Sequence, residues 1–124
     1  MLPKIRVLLV DDHALFCEAL RMSLEMSPDI EVVAEAHSIS SAIEALAQGQ
    51  PDVICMDINL AGHSGIALTR QLLARDPALR IIGLSATSDP DQVAAMKQAG
   101  ACGYVIKSRA GADLPLAIRT ATFR

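Results

Sequence analysis

Aromatic side chains are nearly missing from this 124-residue chain: it has no tryptophan, one tyrosine and two phenylalanines, although 52% of its residues are hydrophobic. Its core therefore has to be assembled from Leu, Ile, Val, Ala and Met, which suits stacked layers of helices and strands. Cysteine is scarce too. Cys17, Cys55 and Cys102 stand far apart among apolar neighbours, which excludes the paired spacing of a zinc site or a disulfide framework and leads us to expect buried thiols. Long apolar runs are absent: Val7–Val10 is as long as any, against the ~20 residues that cross a bilayer, so no membrane segment is expected. The opening MLPKIRVLLV meets Asp11-Asp12 without a small-residue cleavage site, which predicts a cytoplasmic chain. With 20% charged residues and a net charge of -3, the chain is neither disordered by self-repulsion nor basic enough to grip nucleic acid through phosphates. The length fits one domain, taken as residues 1–124.

What is present is an alternation, five times over, of β-branched apolar runs with segments of helical period. The strands are expected at Ile5–Val10, Ile30–Ala34, Val53–Met56, Ile81–Leu84 and Gly103–Ile106, most too continuously apolar to have a wet face, as in a parallel sheet. Between them, Phe16, Leu20 and Leu24 share a helical face, as do Ile43, Leu46 and Ala47, and Leu68 and Leu72. Ser41 and Glu44 have capping-box spacing, Gly49 can end that helix, Asp89-Pro90 can open another that Gly100 closes, and the fifth helix is expected from about Asp113-Leu114-Pro115 to Arg124. Met22, Met26, Met56 and Met96 read as core filler. Five βα units with right-handed crossovers give a doubly wound α/β sheet, and such sheets place ligands at the carboxyl ends of their strands.

At those ends stand Asp11 and Asp12, then Asp57, Ser85 and Lys107; only the second strand, followed by Glu35-Ala36-His37-Ser38, shows no obvious partner. Three carboxylates in one crevice repel by several kcal/mol at ~4–6 Å unless a cation sits among them. All-oxygen ligation suits Mg²⁺, which commonly bridges to phosphate, and Lys107 and Ser85 would then be phosphate partners.

With VLLVDDH (Val7–His13), MDINLAGHSG (Met56–Gly65), GLSA (Gly83–Ala86) and GYVIKS (Gly103–Ser108) in this order, each closing a strand, the sequence resembles the receiver domains of two-component response regulators over essentially its whole length. The resemblance implies a flavodoxin-like (βα)5 fold, a five-stranded parallel sheet of order 2-1-3-4-5 flanked by five helices. It implies that Asp57 takes a phosphoryl group from the phosphohistidine of a sensor histidine kinase. Asp12 would be a direct Mg²⁺ ligand, Asp11 would hold metal-bound water, and Asp57 and the backbone carbonyl of Asn59 would complete the set. Ser85 matches the hydroxyl that swings toward the phosphoryl group, Lys107 the cation of the acid pocket, Tyr104 the aromatic switch, and Asn59 and Thr87 the positions that tune dephosphorylation. The chain departs from the family where Ala61 replaces the usual Pro, and His63 stands where an apolar residue is frequent. DDHALF and GYVIKS without a following Pro look like regulators of the LuxR/FixJ type. In those, a helix-turn-helix output domain contacts DNA and controls transcription; any such domain here would lie beyond residue 124. Helices one and five, or the fourth and fifth, are the two faces open to a homodimer formed on phosphorylation.

Each residue alone has a plainer reading: acids cap helices, Ser85 suits a turn, a lysine after a strand is usually solvated, and Tyr104 can simply pack its ring. His13, His37 and His63 share no ligand spacing and read as surface histidines. The set of five strand-end residues outweighs these alternatives. A small aspartyl phosphatase, that is, an enzyme, would need an acid where Asn59 stands, and a flavin carrier would need a hydroxyl- and Gly-rich loop where Asp11-Asp12-His13 stand. The remaining alternative is a degenerate, phosphorylation-independent receiver acting as a dimerisation module.

Overall fold

The computed structural model of the chain describes residues 3–122. Five strands, β1 (Ile5–Val10), β2 (Ile30–Ala36), β3 (Val53–Asp57), β4 (Ile81–Ser85) and β5 (Gly103–Ile106), form one parallel sheet in the order 2-1-3-4-5. They alternate with helices α1 (Ala14–Leu24), α2 (Ile39–Gln48), α3 (Gly65–Arg75), α4 (Pro90–Gln98) and α5 (Ala110–Thr122). The continuous apolar runs are explained by burial on both faces. Along β1, Val7 and Leu9 join Leu20, Leu24, Leu114 and Ile118 under α1 and α5; Leu8 and Val10 join Ala42, Leu68, Leu72 and Met96 under α2, α3 and α4. Each fully buried Leu or Ile contributes ~1.5–3 kcal/mol, and together they lock the strand register on which the site depends. The chain reverses strand order between β1 and β3, so the ends of these two strands flank the switch-point crevice. No helix among the described residues is long and apolar enough to cross a membrane.

Several boundaries differ from expectation. β3 and β4 each run one residue further, so Asp57 and Ser85 are the last residues of strands rather than the first of loops, and β2 continues to Ala36. The cap of α2 is Ser38 rather than Ser41-Glu44: its hydroxyl accepts from the Ser41 amide at 3.1 Å, and Ser41 Oγ accepts from the Ser38 amide at 3.0 Å. The buried face of α2 is correspondingly rotated, carrying Ile39, Ala42, Ala45 and Leu46 inward and leaving Ile43 and Ala47 exposed. α5 starts at Ala110, which is buried against the sheet, after a 3-10 turn at Lys107–Arg109. Its expected end at Arg124 lies outside the described residues. Met56 and Met96 are core residues, but Met22 projects from the face of α1 opposite Leu20 and Leu24, and Met26 lies beyond the helix; both are exposed. Cys17 and Cys55 are buried, whereas Cys102 is exposed at the start of β5.

The segment after β3 is a small antiparallel hairpin pairing Asn59–Leu60 with His63–Ser64. Its two-residue turn has φ 49° at Ala61 and 85° at Gly62, the positive pair that matches a type I′ hairpin. Proline, fixed near -65°, cannot adopt the Ala61 conformation, so the departure from the family pattern corresponds to a different turn. Ser64 then caps α3, accepting from the Ala67 amide at 3.0 Å.

Candidate functional site

The strand ends converge as their positions require. Asp11 follows β1 and is 1% exposed; Asp57 and Ser85 close β3 and β4 at 3% each. Lys107, just past β5, reaches across to place its Nζ 2.7 Å from Asp11 Oδ2 and 3.0 Å from Asp57 Oδ2, with the Phe16 ring 5.0 Å away on the α1 side. A lysine so held is not a solvated one. Burial pushes the Asp57 carboxyl up; the Asn59 amide, donating to Oδ1 at 3.0 Å, and Lys107 pull it back, Asp11 pushes it up again, and the net direction is upward. Burial acts to lower the Lys107 pKa, but its bonds to Asp11 and Asp57 outweigh that and hold the ammonium charged. Asp57 is also pressed from below by Gly65, whose amide donates to the Ile58 carbonyl at 2.9 Å and whose missing Cβ would collide with the Asp57 carbonyl oxygen.

Ser85 Oγ accepts from the Thr87 amide at 3.1 Å, and the Tyr104 hydroxyl donates to the Thr87 carbonyl at 3.1 Å. Asp57, Asn59, Ser85, Thr87, Lys107 and His13 line an open cleft of about 210 Å³. Tyr104 stays outside it, joined only through Thr87.

On the acid side, Asp11, Asp12, Asp57 and His13 each offer one donor atom, all within 4.8 Å of one another. Asp12 Oδ1 is buried with no hydrogen-bond partner, and Asp11 Oδ2 has Lys107 close by but no well-directed hydrogen bond. Unsatisfied carboxylate oxygens in a cluster of this kind fit a hard divalent cation such as Mg²⁺. The Asn59 amide is taken by Asp57 and its side-chain Oδ1 accepts from the Gly62 amide at 3.2 Å, which fixes Asn59 at the cleft rim.

Two histidines do more than a surface reading gives them. His37, one residue beyond β2, has its Nδ1 2.9 Å from the Asp11 backbone carbonyl, so the second strand end does contribute, to the backbone of an acid rather than to the cleft. His13 donates its amide to Asp11 Oδ1 at 2.8 Å, and its ring Nδ1 lies 3.1 Å from the same oxygen and 3.6 Å from Asp12 Oδ1. Only the pairing of adjacent strands reveals the first; for the second, adjacency to Asp11-Asp12 was the available signal.

This is a doubly wound α/β domain whose switch point holds an acid cluster bridged by one buried-headed lysine. The chain belongs to the response regulator receiver domain family, whose model matches residues 7–119. It is 39% identical over 118 residues to the transcriptional regulatory protein LiaR of Bacillus subtilis, covering 95% of this chain and 56% of LiaR. To the transcriptional regulatory protein DegU of Brevibacillus brevis it is 38% identical over 104 residues, 84% of this chain and 44% of DegU. The chain thus spans about half the length of the curated relatives it matches. Among solved structures, a two-component response regulator of the LuxR family from Aurantimonas superposes with a TM-score of 0.90 at 35% identity, covering 96% of this chain and 85% of that one. The non-phosphorylated receiver domain of the stress response regulator RcsB from Escherichia coli gives 0.87 at 28% identity, covering 94% and 92%. Receiver domains serve phosphorylation-dependent signalling, bind Mg²⁺ at an acidic pocket and partner with histidine kinases.

Proposed function

We propose that this chain is a phosphorylation-activated switch in which Asp57 accepts a phosphoryl group from a sensor histidine kinase, with Mg²⁺ as cofactor. The observation that carries this reading is the Lys107 ammonium bridging Asp11 Oδ2 and Asp57 Oδ2 at the mouth of a cleft large enough for a phosphoryl group. An Asp57 carboxylate oxygen attacks phosphorus, the P–N bond to the kinase imidazole breaks, and the new P–O bond makes an acyl phosphate. Asp11, Asp12, Asp57 and the Asn59 carbonyl would hold Mg²⁺, which when bound neutralises charge on the phosphoryl oxygens. Lys107 gives up its contact with Asp57 Oδ2 and pairs with a phosphoryl oxygen. Ser85, now accepting from the Thr87 amide, turns to donate to another. Thr87, released from Ser85, then shifts, and Tyr104, tied to its carbonyl, follows. Asn59 and Thr87 stand at the cleft where water must approach for hydrolysis, so their size and polarity tune the lifetime of the acyl phosphate.

The chain assists only its own phosphorylation and dephosphorylation and turns over no other substrate. It acts in the cytoplasm, dimerises on phosphorylation, and would reach DNA only through an output domain outside these 124 residues. Incubation with Mg²⁺ and acetyl phosphate, followed by intact mass, tests the central step. One phosphoryl group is expected on the unmutated chain, none on Asp57→Asn and none with a chelator; a chain that gains no mass from either acetyl phosphate or a cognate kinase is a degenerate receiver.

A further inference from the structure

The acid pocket carries one donor that the carboxylates do not supply. His13 Nδ1 sits 3.1 Å from Asp11 Oδ1 and 3.6 Å from Asp12 Oδ1, and the Asp57 carboxylate completes a set whose donor atoms all lie within 4.8 Å. Neighbouring ligands around a first-row metal at ~2.1 Å are separated by roughly 3.0–3.4 Å, for octahedral and tetrahedral geometry respectively, so the imidazole is already near ligand spacing. Its ring is already engaged within the cluster, paired with Asp11 Oδ1 at 3.1 Å. His13 is the N-cap of α1, yet its side chain makes no cap bond; its backbone amide donates to Asp11 Oδ1 and its ring turns to the same carboxylate. The buried Asp12 Oδ1, with no hydrogen-bond partner, faces the same point.

An imidazole nitrogen among carboxylates changes metal preference. Mg²⁺ gains little from nitrogen, whereas Zn²⁺ binds imidazole strongly and stands far above Mg²⁺ in affinity for mixed nitrogen–oxygen sites. We infer that His13 makes the phosphoacceptor pocket a mixed nitrogen–oxygen site at which Zn²⁺ binds in place of Mg²⁺, so that the switch is open to inhibition by a transition metal. The inference rests on the acid pocket being the divalent site of the proposed function, and it adds a regulator to that site. His37 is the internal contrast: its Nδ1 is held against the Asp11 carbonyl and offers nothing to the cluster.

Equilibrium dialysis of the purified chain against Zn²⁺ and, separately, Mg²⁺ tests this, with His13→Ala and His37→Gln beside the unmutated protein and circular dichroism to confirm folding. His13→Ala should lose at least tenfold more Zn²⁺ affinity than Mg²⁺ affinity, while His37→Gln behaves as the unmutated chain. In the unmutated protein the His13 Nδ1 resonance should shift when Zn²⁺ is added. If His13→Ala binds Zn²⁺ as tightly as the unmutated chain while both bind Mg²⁺, the inference is overturned and the Mg²⁺-dependent switch stands. If the unmutated chain binds Zn²⁺ through His13 but not Mg²⁺, ligation by His13 survives, but displacement of Mg²⁺ is overturned together with the Mg²⁺-dependent switch. Binding of neither metal overturns both.

Discussion

Gly65 is the position at which fold and site depend most directly on one another, and replacing it with alanine gives a sharp test of the geometry. A Cβ there would overlap the Asp57 carbonyl oxygen and stand 2.8 Å from both the Asp57 carbonyl carbon and the Ile58 Cα. Ordinary carbon contacts need ~3.5–4.0 Å, so the start of α3 has to retreat from the end of β3 by roughly 1 Å or more. That separation breaks the 2.9 Å bond from the Gly65 amide to the Ile58 carbonyl. Losing the bond costs ~0.5–1.5 kcal/mol and overpacking adds ~1–3, so Gly65→Ala should destabilise by ~2–4 kcal/mol, a large part of the ~5–15 typical of a domain. Because the moving backbone is that of Asp57 itself, the 3.0 Å contact with Lys107 should loosen and phosphorylation by acetyl phosphate should slow. Gly62→Ala is the control. Nothing lies within 4 Å of a Cβ there, so only the strain of φ 85° remains, about 1 kcal/mol, with phosphorylation intact. Urea denaturation gives the stabilities and time-resolved intact mass gives the rates. A Gly65→Ala chain within about 0.5 kcal/mol of the unmutated protein and phosphorylated at its rate would refute this account of how Asp57 is held.

Three further outcomes are expected. Lys107→Met should abolish or strongly slow phosphorylation and drive the Asp57 carboxyl still higher, since it removes a group that holds that pKa down; carbon-detected NMR of the labelled carboxyl reads the direction. Asp57→Asn, in metal-free buffer, should be more stable than the unmutated chain at neutral pH. The folded Asp57 pKa is raised, chiefly by burial, so its favourable neutral form is fully present below the unfolded pKa and is lost as pH rises through the folded pKa; the Asn variant should lack that loss in denaturation curves collected across the window. Ala61→Gly should stabilise by ~0.5–1 kcal/mol, because relief of φ 49° exceeds the added freedom of the unfolded chain, whereas Ala61→Pro should force a different turn and shift the Asn59 amide resonance.

How far the sequence reveals all this depends on which interaction decides each feature. Doubly buried strands announce themselves by composition, so β1 to β5 were legible, as were the five strand-end residues, because topology alone carries them to one crevice; the strand order came only with the resemblance to receiver domains. Ser38, Ser40 and Ser41 are all competent caps, and nothing local distinguishes them; packing of Ala42 and Leu46 on the sheet selects Ser38. Met22 and Met26 were misplaced because methionine satisfies a core pattern without requiring burial, and Leu20 and Leu24 had already taken the inward face of α1. The hairpin at Ala61-Gly62 was hidden for a different reason: alanine in the first turn position carries no signal for positive φ, so a turn that Asn-Gly or Gly-Gly would have advertised passes as a plain loop.

The pocket has two halves of unequal stiffness, and the difference bears on how a switch can work. Asp11 is held from several sides: its amide by the Ala36 carbonyl at 2.9 Å, its carbonyl by His37 and more distantly by the Cys17 thiol, its carboxylate Oδ1 by His13, with the Lys107 ammonium 2.7 Å from Oδ2. Asp57 is confined between Gly65, the Asn59 amide and Lys107. These residues tie together β1, β2, β3, α1 and α3, so the acid half is fixed before any phosphoryl group arrives and little of its binding energy goes into ordering the site. The hydroxyl half is different. Ser85 is engaged by one amide, a neutral bond of about 1 kcal/mol net, and the exposed Thr87 by the Tyr104 hydroxyl at 3.1 Å and by two long contacts at 3.4 Å, to Gln92 Oε1 and from the Asp89 amide. A phosphoryl oxygen on Asp57 offers Ser85 a charge-assisted bond of ~1.5–3 kcal/mol. The competition therefore runs in favour of the phosphoryl group by about 1 kcal/mol, enough to tip a population several-fold while leaving it reversible on hydrolysis. Rigid acids and a loosely held serine are thus complementary requirements of the proposed switch: the first would fix where the phosphoryl group sits, and the second would let its arrival be felt at Tyr104.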